Sequence, residues 1–166
     1  MDIVVGIDPG LSGALAFYCD GQCRTEDMPV LLVTRGGKSK RDVDPHTLVS
    51  LLRLNPVAHA FIEQVGAMPG QGSSSLFAFG KGYGIVIGVL AAVGIPYSFV
   101  SPRTWKSALS VPAAKDGARA RASQLIPSAS GQWKLVKNDG RAEAALIALW
   151  GSRQVVASSR MKRGAN

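Results

Sequence analysis

Three carboxylates stand where an acidic side chain is costly. Asp8 closes an apolar run containing Val4, Val5 and Ile7, Glu63 follows Phe61 and Ile62, and Glu143 directly precedes Ala144, Ala145, Leu146 and Ile147. A carboxylate at the edge of a buried element loses hydration and needs a compensating cation. Most other acids (Asp20, Asp27, Asp42, Asp44, Asp116) fall at turns, loops or apparent caps. Asp139 adds a fourth member, because positions i and i+4 share a helix face with Glu143. Four hard oxygen donors without sulphur or imidazole suit Mg²⁺ or Mn²⁺ rather than zinc. Two such ions about 4 Å apart could activate water on one side of a phosphodiester and stabilise the leaving oxygen on the other. For Glu63 or Glu143 alone, simple pairing with Lys106 or Arg141 is an adequate explanation. It is the acids taken together, and with the charge distribution, that favour a metal site.

That distribution is uneven. The 166 residues carry 19 Lys plus Arg against 11 Asp plus Glu, a net charge of +8. Residues 1–100 hold 7 basic and 8 acidic residues, whereas residues 101–166 hold 12 basic and 3 acidic. A cationic third of a chain is what a polyanion-binding face requires, although a solvated basic surface gives the same count.

The elements that must position these residues read as a mixed α/β chain. Residues 2–8 form a buried strand, Pro9-Gly10 with Gly13 turns into a second strand at 14–19, and Asp20-Gly21 turns into a third, roughly 22–33. Residues 34–43 (TRGGKSKRDV) read as a mobile cationic loop. Asp44 before Pro45 starts a helix with a stripe of Leu48, Leu51 and Leu52, and residues 59–63 form a fourth strand. A Gly/Ser/Pro loop at 66–75 leads into a long apolar helix ending near Val93. Its Gly80, Gly82, Gly84 and Gly88 imply that another backbone or a ligand comes close, by helix packing or at a dimer interface, since each glycine costs a helix about 1 kcal/mol. A fifth strand at 97–100, helices at 101–109 and 113–125, and a final helix at about 140–156 complete one domain over residues 1–156, with a basic flexible tail at 157–166. Three meandering strands followed by crossovers give a five-stranded mixed sheet with helices on both sides.

Several classes drop out. With 46% hydrophobic and 18% charged residues the chain is not intrinsically disordered. The densest apolar stretch, residues 85–95, is shorter than the about 20 residues of a spanning helix, and the N-terminus lacks the pattern of a signal peptide, which predicts a cytoplasmic protein without membrane partners. Cys19 and Cys23 fit neither a redox nor a zinc spacing and read as structural thiols; His46 and His59 are isolated. No phosphate-loop motif with a Gly-Lys-Ser/Thr ending is present, so no nucleotide cofactor is expected. Trp105, Trp133 and Trp150 read as core or edge packing.

The stretches GIDPGLSGALA (6–16), FIEQV (61–65), GYGIVIGVL (82–90), TWK (104–106), AKD (114–116) and DGRAEAALIALWG (139–151) together resemble RuvC-type Holliday junction resolvases, closest to the phage, bacterial and chloroplast branch that carries GRAEA. The resemblance implies an RNase H-like fold, a homodimer, two Mg²⁺ or Mn²⁺ ions, and symmetric nicking of four-way DNA junctions. It implies Asp8, Glu63, Asp139 and Glu143 as metal ligands, although better-known bacterial members space two aspartates three apart in the last helix. It makes Lys115 the residue that stabilises charge at the scissile phosphate. It also puts Lys106 where the branch carries basic residues near that phosphate. Apart from the resemblance, Lys38, Lys40 and Arg41 read equally as DNA contacts or as a solvated loop, the basic balance of residues 101–166 makes Arg119 and Arg121 candidate DNA contacts, and Lys81 and Arg103 are further candidates. Relatives place a wedging residue just after the strand-four Glu-Gln; Gly66 stands there in this chain, so Met68 or Phe77 takes that role. Residues GIDPG also begin the phosphate loop of actin-like and sugar-kinase folds, which need a second lobe.

Overall fold

The computed structural model describes residues 3–66, 70 and 72–164. Its central sheet has the order β3-β2-β1-β6-β7, built from β1 (Ile3–Asp8), β2 (Ala14–Cys19), β3 (Gln22–Asp27), β6 (Val57–Glu63) and β7 (Tyr97–Val100). The first three strands form an antiparallel meander, and β6 and β7 continue it in parallel beside β1. This is the expected five-stranded mixed sheet. Because β1 and β6 are parallel neighbours, their C-terminal ends bring Asp8 and Glu63 to the same edge.

Helices cover both faces. On one side, α1 (Pro45–Arg53) and α2 (Ser73–Ala92) close a core around Val5, Ile7, Leu15, Leu48, Ile62, Val86 and Leu90. On the other, α3 (Pro102–Ala108), α4 (Gly117–Leu125) and α5 (Asp139–Gly164) enclose Val4, Phe61, Trp105, Ile126, Trp133 and Leu146. Each side buries a different alternation of the same strands, as period-2 side chains require.

The helix α5 lies unusually close to the sheet. A Cβ on Gly6 would sit 2.2 Å from the Ala144 carbonyl oxygen and 2.3 Å from the Ala148 nitrogen, and one on Gly151 would collide with the Phe61 ring. Gly140, Ala144, Ala148 and Gly151 recur at helical spacing, so the small face of α5 rests on β1 and β6. At its first turn a Cβ on Gly140 would meet the Ser12 carbonyl oxygen at 2.7 Å and Asp8 Oδ2 at 2.9 Å. Gly140 thereby fixes how near the helix comes to the first carboxylate.

Several sequence expectations change. The third strand stops at Asp27, and after Met28-Pro29 a separate hairpin of β4 (Val30–Arg35) and β5 (Lys38–Val43) replaces the expected mobile loop. Gly36 and Gly37, at φ +58° and +74°, supply the left-handed turn that such two-residue hairpins need. The last helix runs to Gly164 instead of ending near Val156, taking in residues 157–164 of the expected tail. Helix α2 is twenty residues long, and among the described residues it is long and apolar enough to cross a membrane. Its Gly82, Val86, Val89 and Leu90 are nonetheless buried in the fold. Among the described residues only Gly82 of its glycines meets a neighbour, Val43, while none lies within 4 Å of a Cβ on Gly80, Gly84 or Gly88, so the expected close approach is not seen among them.

Candidate active site

The chemistry gathers where β1, β6, α3 and α5 meet. Glu63 is buried, and the indole N–H of Trp105 donates to its Oε1 at 3.0 Å. The next residue, Lys106, donates from Nζ to Glu143 Oε1 at 2.8 Å. Two consecutive residues of one short helix thus hold one carboxylate from the sheet and one from α5. That helix begins cleanly, with Ser101 Oγ accepting from the Thr104 N–H and proline in its first turn.

Charge in this cluster is poorly compensated. Burial pushes the Asp8 carboxyl up to about 7; the charges of Glu143 and Glu63 add to the rise, while the Gly10 N–H and Lys106 oppose it. Glu63 is likewise raised, first by burial, with the Trp105 hydrogen bond acting against it and Glu143 reinforcing it. Burial alone would lower the Lys106 ammonium, but its bond to Glu143 and the charges of Glu63 and Asp8 hold it above the ordinary lysine value. Three carboxylates facing one ammonium form a site short of positive charge, the condition that a divalent cation relieves. The donors are hard oxygens, so their chemistry fits Mg²⁺ or Mn²⁺. Among the described residues, however, no group of three or more His, Cys, Asp or Glu side chains is assembled at ligand geometry.

No family model matches the chain. Over 98 residues, 57% of its length, it is 33% identical to a chloroplastic Holliday junction resolvase of Chlamydomonas reinhardtii, and the match spans 11% of that protein. The chain therefore corresponds to about a tenth of this curated relative. Among solved structures it resembles T. thermophilus RuvC in complex with a Holliday junction substrate, with a TM-score of 0.62 at 16% identity over 90% of this chain and 91% of that one. A second Thermus thermophilus RuvC structure superimposes with a TM-score of 0.53 at 18% identity, covering 89% and 90% of the two chains. The yeast mitochondrial Holliday junction resolvase gives 0.51 at 16% identity, covering 89% of this chain and 76% of that one. The chain has the RuvC fold.

Within the RuvC fold the other sequence-predicted residues fall in distinct places. Asp139 is not held with the other three acids: it accepts from Arg119 Nε at 2.5 Å, on the side of α5 that faces α4. Arg119 also reaches the Lys134 carbonyl, and Arg121 donates to the Leu109 carbonyl and to Gln124, so both arginines expected to face DNA are tied into the protein. Lys115 is exposed in the turn before α4, and no contact joins it to the acids among the described residues. Lys106, a candidate contact near the scissile phosphate, lies at the acidic cluster, where it pairs with Glu143. Arg103 is exposed at the start of α3.

The remaining cations line a groove of about 330 Å³ between the β4-β5 hairpin and α2, bordered by Lys38, Lys40, Arg41, Phe77 and Lys81. Lys81 is paired with Asp42, and Arg41 reaches Ser12 Oγ at 3.5 Å in the loop that follows Asp8. Phe77 is 74% exposed, whereas Met68 lies outside the described residues.

Sequence reasoning missed the positioning parts. Arg141 of the GRAEA stretch makes a two-pronged bond to Asp27 at 2.6 and 2.8 Å, anchoring the start of α5 to the end of β3. Trp105, read as packing, is fully buried and also orients Glu63. Its neighbours in TWK carried a signal, because a buried indole N–H requires an acceptor. The two cysteines are free, and burial pushes the Cys23 thiol up to about 12, as suits a structural thiol.

Proposed function

We propose that the chain is a divalent-metal-dependent endonuclease that resolves four-way DNA junctions by paired nicks. The observation that carries the reading is the convergence of Asp8, Glu63 and Glu143 at the ends of adjacent parallel strands and one helix. The RuvC fold and the sequence match to a chloroplastic junction resolvase support the substrate. Asp8, Glu63 and Glu143 would hold Mg²⁺ or Mn²⁺, as one or two ions. Such an ion supplies an activated water and stabilises the leaving oxygen of a phosphodiester.

The chain's own residues do the rest. Trp105 keeps the Glu63 carboxylate oriented, and Gly140 lets α5 bring Glu143 beside Asp8. The hairpin cations Lys38, Lys40 and Arg41 would bind phosphates along the groove, with exposed Phe77 placed to stack on an opened base. Paired nicks require two copies. The uncovered apolar side of α2, where Gly80, Gly84 and Gly88 face open space, supports a homodimer.

Incubating the protein with an end-labelled immobile four-way junction, beside three-way, flap and RNA–DNA hybrid substrates, tests this directly. Mg²⁺-dependent symmetric nicking of the four-way substrate is expected. Preference for another branched substrate would retain the chemistry and replace the target; binding without any metal-dependent nicking would make the chain a junction-binding module.

A further inference from the structure

Lys106 is an unusual resident for a cation site. Its ammonium points inward to Glu143 Oε1 at 2.8 Å, and its charge also acts on Glu63 and Asp8. It is the residue next to Trp105, whose indole fixes Glu63, so α3 delivers one donor to each of two candidate ligands. The side chain is nevertheless 40% exposed, and a four-carbon stem with one end at the surface can swing out without unpacking the core.

Resting on the metal-site reading above, we infer that Lys106 is a built-in counter-ion that occupies a cation's place in the metal-free protein and competes with the divalent ion for Glu143. Ammonium and metal draw on the same Glu143 carboxylate, and two cations within a few ångströms repel strongly at the edge of a protein interior. Loading the site is therefore opposed as long as Lys106 stays on Glu143. Two consequences follow: the metal-free fold relies on Lys106 to keep three clustered acids from repelling one another, and the protein binds metal more weakly than its acids alone would.

The test is Mn²⁺ titration without DNA, read by the electron paramagnetic resonance signal of free Mn²⁺, on wild type, Lys106→Met and Lys106→Gln, beside melting of the metal-free proteins. Either substitution is expected to tighten Mn²⁺ binding by roughly tenfold, the effect of removing one nearby competing charge. Both should lower the metal-free melting temperature, and saturating Mn²⁺ should close that gap. Affinity that is unchanged or weaker in both variants overturns the inference. Glu143→Gln separates the two levels: if it abolishes Mn²⁺ binding while both Lys106 variants bind like wild type, the metal site stands and the competition fails. If wild type and the Lys106 variants all bind no Mn²⁺, both readings fall.

Discussion

Trp105 Nε1 donates to Glu63 Oε1 at 3.0 Å inside the protein, so the one polar atom of a fully buried tryptophan is devoted to a carboxylate that burial pushes toward its neutral form. The bond favours the ionised acid. Trp105→Phe keeps most of the packing and deletes the donor, so the Glu63 carboxyl should rise further. The expected result is a stability loss of about 1–3 kcal/mol from the unsatisfied acceptor, measured by urea unfolding. The acidic limb of the cleavage pH profile, along which activity rises as Glu63 ionises, should also shift to higher pH. An unmoved limb with the same stability loss would reduce Trp105 to packing.

The raised Asp8 carboxyl makes a signed prediction for the metal-free protein. An ordinary aspartate near 3.8 in the unfolded chain becomes one near 7 in the fold. Between those values the folded protein retains a proton that the unfolded chain has released, so stability falls as pH rises through that window. The slope is at most about 1.4 kcal/mol per pH unit for one group. Asp8→Asn lacks this proton. Its stability relative to wild type should be similar near pH 4 and should grow in its favour up to about pH 7, then level off. Parallel wild-type and Asp8→Asn stability curves over pH 4–7 contradict the burial of this charge.

How much of this was legible depended on whether a residue's surroundings come from its own neighbours in sequence. Strands β1, β2 and β6 announce themselves because they lie inside the sheet and their runs are largely apolar, and β7 because its short run is rich in aromatic and β-branched residues. The β4-β5 hairpin does not, since Lys38, Ser39, Lys40 and Arg41 are exposed and give no alternation. The Gly36-Gly37 pair was its one usable signal. The last helix outran its expected end because extending an existing helix is cheap even without an apolar stripe. Asp8, Glu63 and Glu143 were readable from the cost of an acid at an apolar edge. The separate fate of Asp139 was not, because Arg119 reaches it from another helix.

That separation yields a contrast between the two acids of α5. Glu143→Gln should abolish cleavage, having removed a carboxylate from the cluster. Asp139→Asn keeps an oxygen that can accept from Arg119, so it should retain near-normal single-turnover cleavage and lose about 1 kcal/mol of stability with the ion pair. Asp139→Ser, which removes the carboxylate altogether, should cleave similarly. Equal loss of cleavage in all three variants would return Asp139 to the site and imply that it leaves Arg119 once metal and DNA are present.

The last prediction concerns which cations meet DNA. Residues 101–166 carry most of the excess charge, yet charge counted along a sequence says nothing about where each guanidinium points. Arg119 and Arg121 spend their donors on Asp139, Leu109, Gln124 and Lys134, whereas Lys38 and Lys40 lie exposed on β5 beside a groove that leads past Arg41 to the loop after Asp8. Each phosphate neutralised releases counterions, so the slope of log affinity against log salt counts the cations that engage the backbone. The double substitution Lys38→Gln with Lys40→Gln should weaken junction binding uniformly across sequences and reduce that slope by roughly 2, about one per lysine. Arg119→Gln with Arg121→Gln should leave the slope unchanged while lowering the melting temperature, because it breaks internal bonds instead of phosphate contacts. Binding titrations from low to moderate salt on both double variants decide the matter. A reduced slope for the α4 pair and none for the β5 pair would put the DNA on the opposite side of the active site.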